Sequence, residues 1–474
     1  MNAIIGRVQE ITQFDKVVAS SKSEFVAVYG RRRVGKTFLI REYFNYTFDF
    51  QLTGLANATT EQQLINFQVT LQRQAKITLA KTPQNWFFAF QYLIDHLEAI
   101  DANRKKIIFL DELPWLDTAK SDFLMALEHF WNSWATNRKD IVLITCGSAA
   151  SWMINNLINN HGGLHNRLTH RMKIEPFTLQ ETEWMLQAKN NNLSRYQVLQ
   201  LYMVMGGIPY YLDAVETGKS AAQNIEQLCF RKGALLVTEF KNLFASLFKN
   251  STKHEQIIRA LSTKNKGMTR QEIAQITKLK TGGTFTQKLI ELEESGFITR
   301  YTALNKKAKS ALYRLSDFYC AFYLKFIEHN TNFELGVWMS AIDNPSHRAW
   351  SGFAFEQVCL SHIFQIKKKL GIHGIIAEPT SWKSKDAKQG AQVDLVIDRR
   401  DQVINLCEAK FSIHPFTITK AYNENLRNKI GVFKAETQTR KAVFLTLITT
   451  HGVTKNQYAL GLVQNEVVMD DLFE

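Results

Sequence analysis

The 474-residue chain has no run of about 18 uninterrupted apolar residues, the length a membrane-crossing helix requires. Its opening, MNAIIGRVQEITQF, lacks the basic start and long apolar stretch of a secretory signal. A cytoplasmic protein with no membrane partner is the expectation. Cysteine is scarce: Cys146, Cys229, Cys320, Cys359 and Cys407 are scattered, and four of them lie in apolar runs. That spacing excludes a zinc site built from closely paired thiols and fits core thiols of a reducing compartment. Acidic residues are outnumbered too, 44 Asp and Glu against 58 Lys and Arg, for a formal charge of +14. Such a surplus favours a polyanionic partner, and its placement along the chain matters more than its total.

Against these absences stands a strong local pattern. A short apolar strand, FVAVYG, runs into GRRRVGKT (Gly30 to Thr37) and then into the amphipathic segment TFLIREYF. Strand, glycine loop and helix are the context in which such a loop cradles phosphates. Gly30 and Gly35 let the backbone approach an anion, whose charge the N–H groups and the helix N-terminus then face. Lys36 is placed to bridge the outer phosphates of ATP and Thr37 to ligate Mg2+, with Arg33, Val34 and Phe38 completing the loop's surroundings. A second apolar strand, Ile107 to Leu110, ends in Asp111 and Glu112. Ligands gather at strand ends of open α/β sheets, so Asp111 is expected on the metal side and Glu112 beside the attacking water. A third strand, IVLITCGS, ends in Thr145, Gly147 and Ser148, polar groups suited either to sensing the outer phosphate or to capping a helix.

These residues resemble the archaeal-type ATPase family, in the signal-transducing branch of the AAA+ P-loop ATPases, over roughly residues 1–245. The resemblance implies that Gly6, Arg7 and Glu10 of IIGRVQEI form the adenine-side box and that Pro209 of GGIPYYL stands in a helical lid near the base. It also implies that Arg167 of HNRLTHRMKIEPFTL senses the outer phosphate, with Arg171 as the alternative. Homo-oligomers are common in such ATPases, and nothing in the chain fixes a subunit number.

Residues 176–248 read as the helical lid, with apolar residues spaced by three and four, as in Tyr196, Leu199, Leu201 and Tyr202. From 249 to 320 the order is helix (EQIIRAL), a short helix begun by the capping pair Thr269 and Glu272, a Gly-Gly break, a third helix (FTQKLIELEESG) and two strands. Three helices and a hairpin describe a winged helix-turn-helix. Residues 251–315 hold 13 Lys and Arg against 5 Asp and Glu. Lys278, Lys280 and Lys288 flank the third helix, and Lys306, Lys307 and Lys309 fall at the wing tip, a placement suited to the phosphates of double-stranded DNA.

After a helical linker, 321–344, comes WSGFAFEQVCLSHIF, which places Glu356 on an apolar helix where a carboxylate needs a partner. AQVDLVIDRR and QVINLCEAKFS then read as paired strands. Asp394 interrupts the first, and Glu408 and Lys410, two apart, share a face of the second. Two carboxylates and a lysine suit a magnesium ion between the acids, with Lys410 offsetting charge in a phosphoryl-transfer transition state. Residues 345–474 resemble the PD-(D/E)xK nuclease superfamily, and more narrowly the domain of unknown function found behind archaeal-type ATPases. The superfamily's proline is replaced by Val393. The resemblance implies metal ligation by Glu356, Asp394 and Glu408 and catalysis by Glu408 and Lys410. Downstream, FTITKAYNENLRNKIGVF reads as a helix whose Lys420, Tyr422 and Arg427 are placed to assist phosphate binding, with a buried Tyr422 as the alternative.

The expected architecture is therefore an α/β P-loop ATPase core (1–175), a lid, a winged helix-turn-helix and a restriction-endonuclease-like α/β domain. The expected function couples ATP binding and hydrolysis to DNA binding and Mg2+-dependent strand cleavage. A switch ATPase with a non-catalytic C-terminal domain, or a DNA-binding regulator, are the competing readings.

Overall fold

The computed structural model describes residues 4–474 apart from 102–103, 149, 160–162, 165, 249, 303, 305–310, 331–335, 343 and 385–390, and only the backbone of Ala150, Glu378 and Asp394. The chain forms two compact units, Met1–Pro176 and Phe177–Glu474.

In the first unit five strands, β1 (Glu24–Tyr29), β2 (Phe50–Thr53), β3 (Lys106–Asp111), β4 (Ile141–Gly147) and β5 (His170–Lys173), build a parallel sheet in the order β2-β3-β4-β1-β5. β3 and β4 are buried along their whole length, as continuous apolar strands are when helices cover both faces of a sheet. The helices Thr60–Ala75 and Trp86–Glu98 bury Phe67, Trp86 and Phe90 on this sheet. Thr59 and Gln62 close a reciprocal cap at the start of the first of them. The β1 to β5 pairing carries the chain to Ile174, whose carbonyl packs against Gly30. A Cβ at Gly30 would stand 2.3 Å from that oxygen, and φ there is +140°, so only glycine lets the strand turn into the loop at this point.

The second unit begins with the helices Leu179–Ala188, Arg195–Met205, Pro209–Asp213, Ala221–Cys229 and Leu235–Leu247. Leu199, Leu201 and Tyr202 are buried as their spacing requires, whereas Tyr196 is half-exposed and stacks on Phe411 and His451. Glu226, only 6% exposed, accepts the backbone N–H groups of Gly336, Trp338 and Met339 at 3.0, 2.7 and 3.3 Å. It thereby caps the short helix Val337–Ser340 with a carboxylate from a distant helix.

Next come the helices Thr252–Ser262, Arg270–Thr277 and Gly283–Glu294 with a three-stranded antiparallel sheet. Its strands are β6 (Met268–Thr269), β7 (Ile298–Tyr301) and β8 (Leu312–Leu315), in the order β6-β8-β7. Thr269 and Glu272 form the expected capping box, and Gly296 follows the third helix at φ +76°. Two details correct the sequence reading. The Gly-Gly pair opens the third helix, with Gly282 at its N-cap and Gly283 its first residue. Lys288 is turned inward, its side chain 15% exposed and 4.0 Å from Glu291, so it is not a surface phosphate ligand. Lys278 and Lys280 are exposed, and Lys306, Lys307 and Lys309 lie outside the described residues.

The chain ends in a five-stranded mixed sheet of β9 (Ala377–Lys383), β10 (Gln392–Arg399), β11 (Val403–Lys410), β12 (Ala442–Thr449) and β13 (Val463–Val468). The order is β13-β12-β11-β10-β9: the β9, β10 and β11 pairings are antiparallel, those of β11, β12 and β13 parallel. The helix Lys420–Thr437 crosses between β11 and β12, and the helix Pro345–Ser361 packs on β11.

Where that last helix ends, His362 joins two parts of the second unit. Its Nε2 accepts the Leu179 N–H at 3.0 Å, which fixes the tautomer so that Nδ1–H donates to the Val358 carbonyl at 2.9 Å. Burial lowers its pKa to about 4. The ring is neutral when folded, so its contribution is complete above the unfolded value of about 6.5 and is lost as the pH falls toward 4. Between pH 7 and 4 the parent should lose about 3 kcal/mol of stability through this group. Urea unfolding at several pH values checks this against His362→Gln, which keeps an acceptor and cannot ionise: its profile should be flatter by that amount.

Candidate functional sites

The loop between β1 and the helix Lys36–Tyr43 winds through Arg33 at φ +72° and Gly35 at φ +86°. A side chain on Gly35 would meet no atom within 4 Å, so the concavity in front of the helix N-terminus has room for a bound anion. Lys36 is buried, and its ammonium donates to the carbonyls of Gly30 and Arg31 at 3.0 and 2.9 Å, which arches the loop around its own lysine. Burial lowers its pKa, and the nearby acids Glu112 and Asp111 oppose that shift. Thr37 Oγ1 lies 3.1 Å from both carboxylate oxygens of Asp111. A hydroxyl and a carboxylate meeting at the end of β3 are the hard oxygen donors magnesium takes, so the residues present fit an Mg2+ site. Burial, and then the charge of Glu112, raise the Asp111 pKa. A bound cation would offset that cost.

Glu112 stands directly after β3 in a left-handed conformation, φ +49°. Ser148, just past β4, donates its hydroxyl to Glu112 Oε1 at 3.0 Å. Ser148 thus holds the Glu112 carboxylate, and strand order brings the two together. Thr145 is different: it is fully buried and donates to the Val26 carbonyl, so it takes no part in phosphate sensing. Because a hydrogen bond to a charged group is worth about 1.5–3 kcal/mol, Ser148→Ala should lower kcat for ATP about tenfold while KM changes little. Ser148→Thr should restore the rate; steady-state phosphate release distinguishes these outcomes.

Arg7 follows Gly6 at the start of the first helix, both in left-handed conformation. The guanidinium is buried and donates to the Glu175 carbonyl at 2.8 Å and the Val34 carbonyl at 3.0 Å. It straps the loop to the segment after β5, a positioning role for a residue the resemblance assigned to the base. Phe38 is 46% exposed on the loop helix. Arg41, which the sequence reading passed over, lies 4.0 Å from Asp111 Oδ2. It is four residues after Thr37, the spacing that puts two side chains on one helix face.

In the C-terminal sheet Glu408 is the centre of a compact cluster. Its carboxylate is 9% exposed, accepts the Tyr422 hydroxyl at 3.2 Å and the Lys429 ammonium at 2.5 Å, and stands 3.8 Å from Lys410 Nζ. Lys410 also lies over the Tyr422 ring, 5.0 Å from its centroid. Burial, then Glu408, raise the Tyr422 pKa, and Glu356 adds to the shift. Both carboxylates therefore bear on one phenol. Two carboxylates supply donors that fit magnesium, although Glu408 holds two hydrogen bonds that an incoming cation would have to share. Among the described residues no three His, Cys, Asp or Glu side chains form a metal-binding group. The third expected ligand, Asp394, lies outside the described side chains. Its backbone precedes Leu395, which pairs with Cys407, and the β9 to β10 register shifts between Val393 and Val396, a bulge of the kind that re-aims side chains. Of the assisting residues expected on the following helix, only Tyr422 turns to Glu408. Arg427 binds Asn423 and Lys420 is exposed. Lys429 was missed, and its position seven after Tyr422, two turns along the same face, was the available signal.

Residues 4–215 match a family described as an ATPase domain predominantly from Archaea. The first unit has the fold of a P-loop ATPase. An uncharacterized protein of Methanocaldococcus jannaschii, MJECL04, is 26% identical over 370 residues, 77% of this chain and 78% of that protein. The Walker-type ATPase PABY2304 of Pyrococcus abyssi aligns with 68% of this chain and 96% of its own at a TM-score of 0.51 and 16% identity, a likeness of fold. The ORC2 protein of Aeropyrum pernix aligns with 70% and 94% of the two chains at a TM-score of 0.44 and 14% identity. Among the described residues no helix is long and apolar enough to cross a membrane.

Arg167 and Arg171, two further residues of the ATPase reading, fall outside the loop cluster. Arg167 is exposed on the turn before β5, and Arg171 is exposed on β5 itself. Pro209 opens the short helix Pro209–Asp213, in the second compact unit.

Proposed function

We propose that the ATPase couples its nucleotide state to DNA binding and magnesium-dependent phosphodiester cleavage, the latter at Glu408. The observation that carries this reading is the convergence of Glu408, Lys410, Tyr422 and Lys429, from β11 and the following helix, in a sheet whose fold has no structural need for a buried acid ringed by three donors. Glu356, Asp394 and Glu408 would hold the cation, which when bound polarises the scissile phosphate and acidifies its water. Lys410 offsets the charge that grows as water attacks phosphorus, and the leaving oxygen departs with a proton. Three helices and a three-stranded antiparallel sheet support a winged-helix reading for residues 252–315, where exposed Lys278, Lys280 and Arg300 would contact duplex phosphates. In the ATPase domain, the Glu112 carboxylate polarises the hydrolytic water and Lys36 bridges the outer phosphates. Exposed Arg167 suits a role in a neighbouring subunit's site within a homo-oligomer.

A second reading is favoured by one observation: Lys429 and Tyr422 already satisfy Glu408. On that reading the C-terminal domain binds nucleic acid or a protein without cutting, and the protein is a switch ATPase. The test is incubation of the purified chain with supercoiled and linear DNA, with and without Mg2+ and ATP. Magnesium-dependent cutting supports the first reading; intact DNA alongside active ATP hydrolysis rejects it in favour of the second.

A further inference from the structure

A cavity of about 510 Å³ opens in the second unit, within the range of about 300–1,000 Å³ typical of small-ligand sites. One wall is the end of the first helix of the basic module, Leu261 to Thr263 with Asn265, together with Arg314 on β8. Another is the segment Phe318 to Lys325, and the third is the helix Pro345–Ser361, which presents Trp350, Phe353 and Glu356. We propose that this cavity receives an unpaired nucleotide of a DNA single strand, so that the substrate of the cluster at Glu408 is a strand end or a locally opened duplex. The link to cleavage rests on the nuclease reading above; the binding does not.

The chemistry of the walls favours that occupant. Phe353 is 44% exposed, a cost for an aromatic ring unless its face is covered, and base stacking covers it without regard to sequence. Trp350 beside it is held edge-on by Phe322 and Phe326, at 5.2 and 5.5 Å between ring centroids, which gives the wall a fixed shape. Arg314 and the exposed Lys325 bring positive charge to the opposite side, where the phosphates of a stacked strand would run. Gln357 donates to the Ser316 carbonyl and pins the aromatic helix to the end of the basic module. Phe353 and Glu356 are three residues apart, neighbours one turn along a helix. A base stacked on Phe353 would therefore lie one turn from Glu356, which lines the same cavity and is an expected ligand of the Glu408 site.

The test is fluorescence anisotropy with the full chain in EDTA at fixed salt, comparing a labelled oligothymidylate with a blunt duplex of equal length. Phe353→Ala and Lys325→Gln should each weaken single-strand binding about tenfold, the loss of one stacked base or of one phosphate contact, and leave duplex binding and ATP turnover unchanged. Single-strand affinity unaffected by either cavity substitution, or lowered no more than duplex affinity, would overturn the proposal. A chain that binds single strands through Phe353 and cuts nothing would refute the nuclease reading alone, and one that cuts DNA without needing Phe353 would refute the cavity alone.

Discussion

Lys36→Ala should lose ATP hydrolysis by about 10²- to 10³-fold, the effect of removing a charged donor aimed at transferring phosphate, and should lose nucleotide affinity with it. The second loss follows from where the ammonium sits. It is buried and donates to the carbonyls of Gly30 and Arg31, so its removal both deletes a phosphate ligand and slackens the arch that shapes the loop. Glu112→Gln separates these effects. The loop is untouched, so ATP should bind as in the parent, while the group proposed to polarise water could no longer accept its proton. Hydrolysis should fall by a similar factor with nucleotide affinity preserved. Titration of a fluorescent ATP analogue beside a phosphate-release assay reads both quantities. An Lys36→Ala protein that bound nucleotide normally would contradict the assignment of the loop.

Glu408→Ala should abolish DNA cleavage, by about 10²- to 10³-fold or more, because the transition state then loses its principal carboxylate. Folding should suffer less. Lys429 and Lys410 are 22% and 32% exposed and can turn to water once their partner is gone, so the cost is about 1–2 kcal/mol and not the larger penalty of a sealed ion pair. Lys429→Met is the informative companion. If Lys429 positions the Glu408 carboxylate, cleavage falls about 10- to 100-fold and a higher magnesium concentration restores part of it. If Lys429 is a latch that keeps magnesium out, the same variant cuts faster than the parent. Cleavage that survives Glu408→Ala removes the catalytic assignment altogether.

The parts of this protein that were legible in its sequence are those whose chemistry is local. GRRRVGKT between an apolar strand and an amphipathic helix names its own geometry, since φ near +140° and +86° at Gly30 and Gly35 demands glycine and the loop then curls without further help. Thr269 with Glu272 fixed a helix start in the same way, through bonds spanning three residues. The period-two spacing of Glu408 and Lys410 put both on one strand face by backbone geometry alone.

Tertiary structure decided the remainder, because the partners come from distant points of the chain. The pairing of Ser148 with Glu112 exists because β4 lies beside β3, an order no spacing encodes. Arg7 became a strap on Val34 and Glu175, and Thr145 was spent on the Val26 carbonyl, since buried polar groups take whichever acceptor the packing brings within reach. Lys429 reaches Glu408 only because the helix after β11 folds back across the sheet. His362 stays neutral well below pH 6.5 because packing at the end of its helix removes it from water. Sequence by itself determined the ATP-binding loop and the periodicity of the strands and helices, where the deciding forces act within a few residues. Which carboxylates are held, by whom, and with what charge was settled by burial and strand order, which belong to the folded chain as a whole.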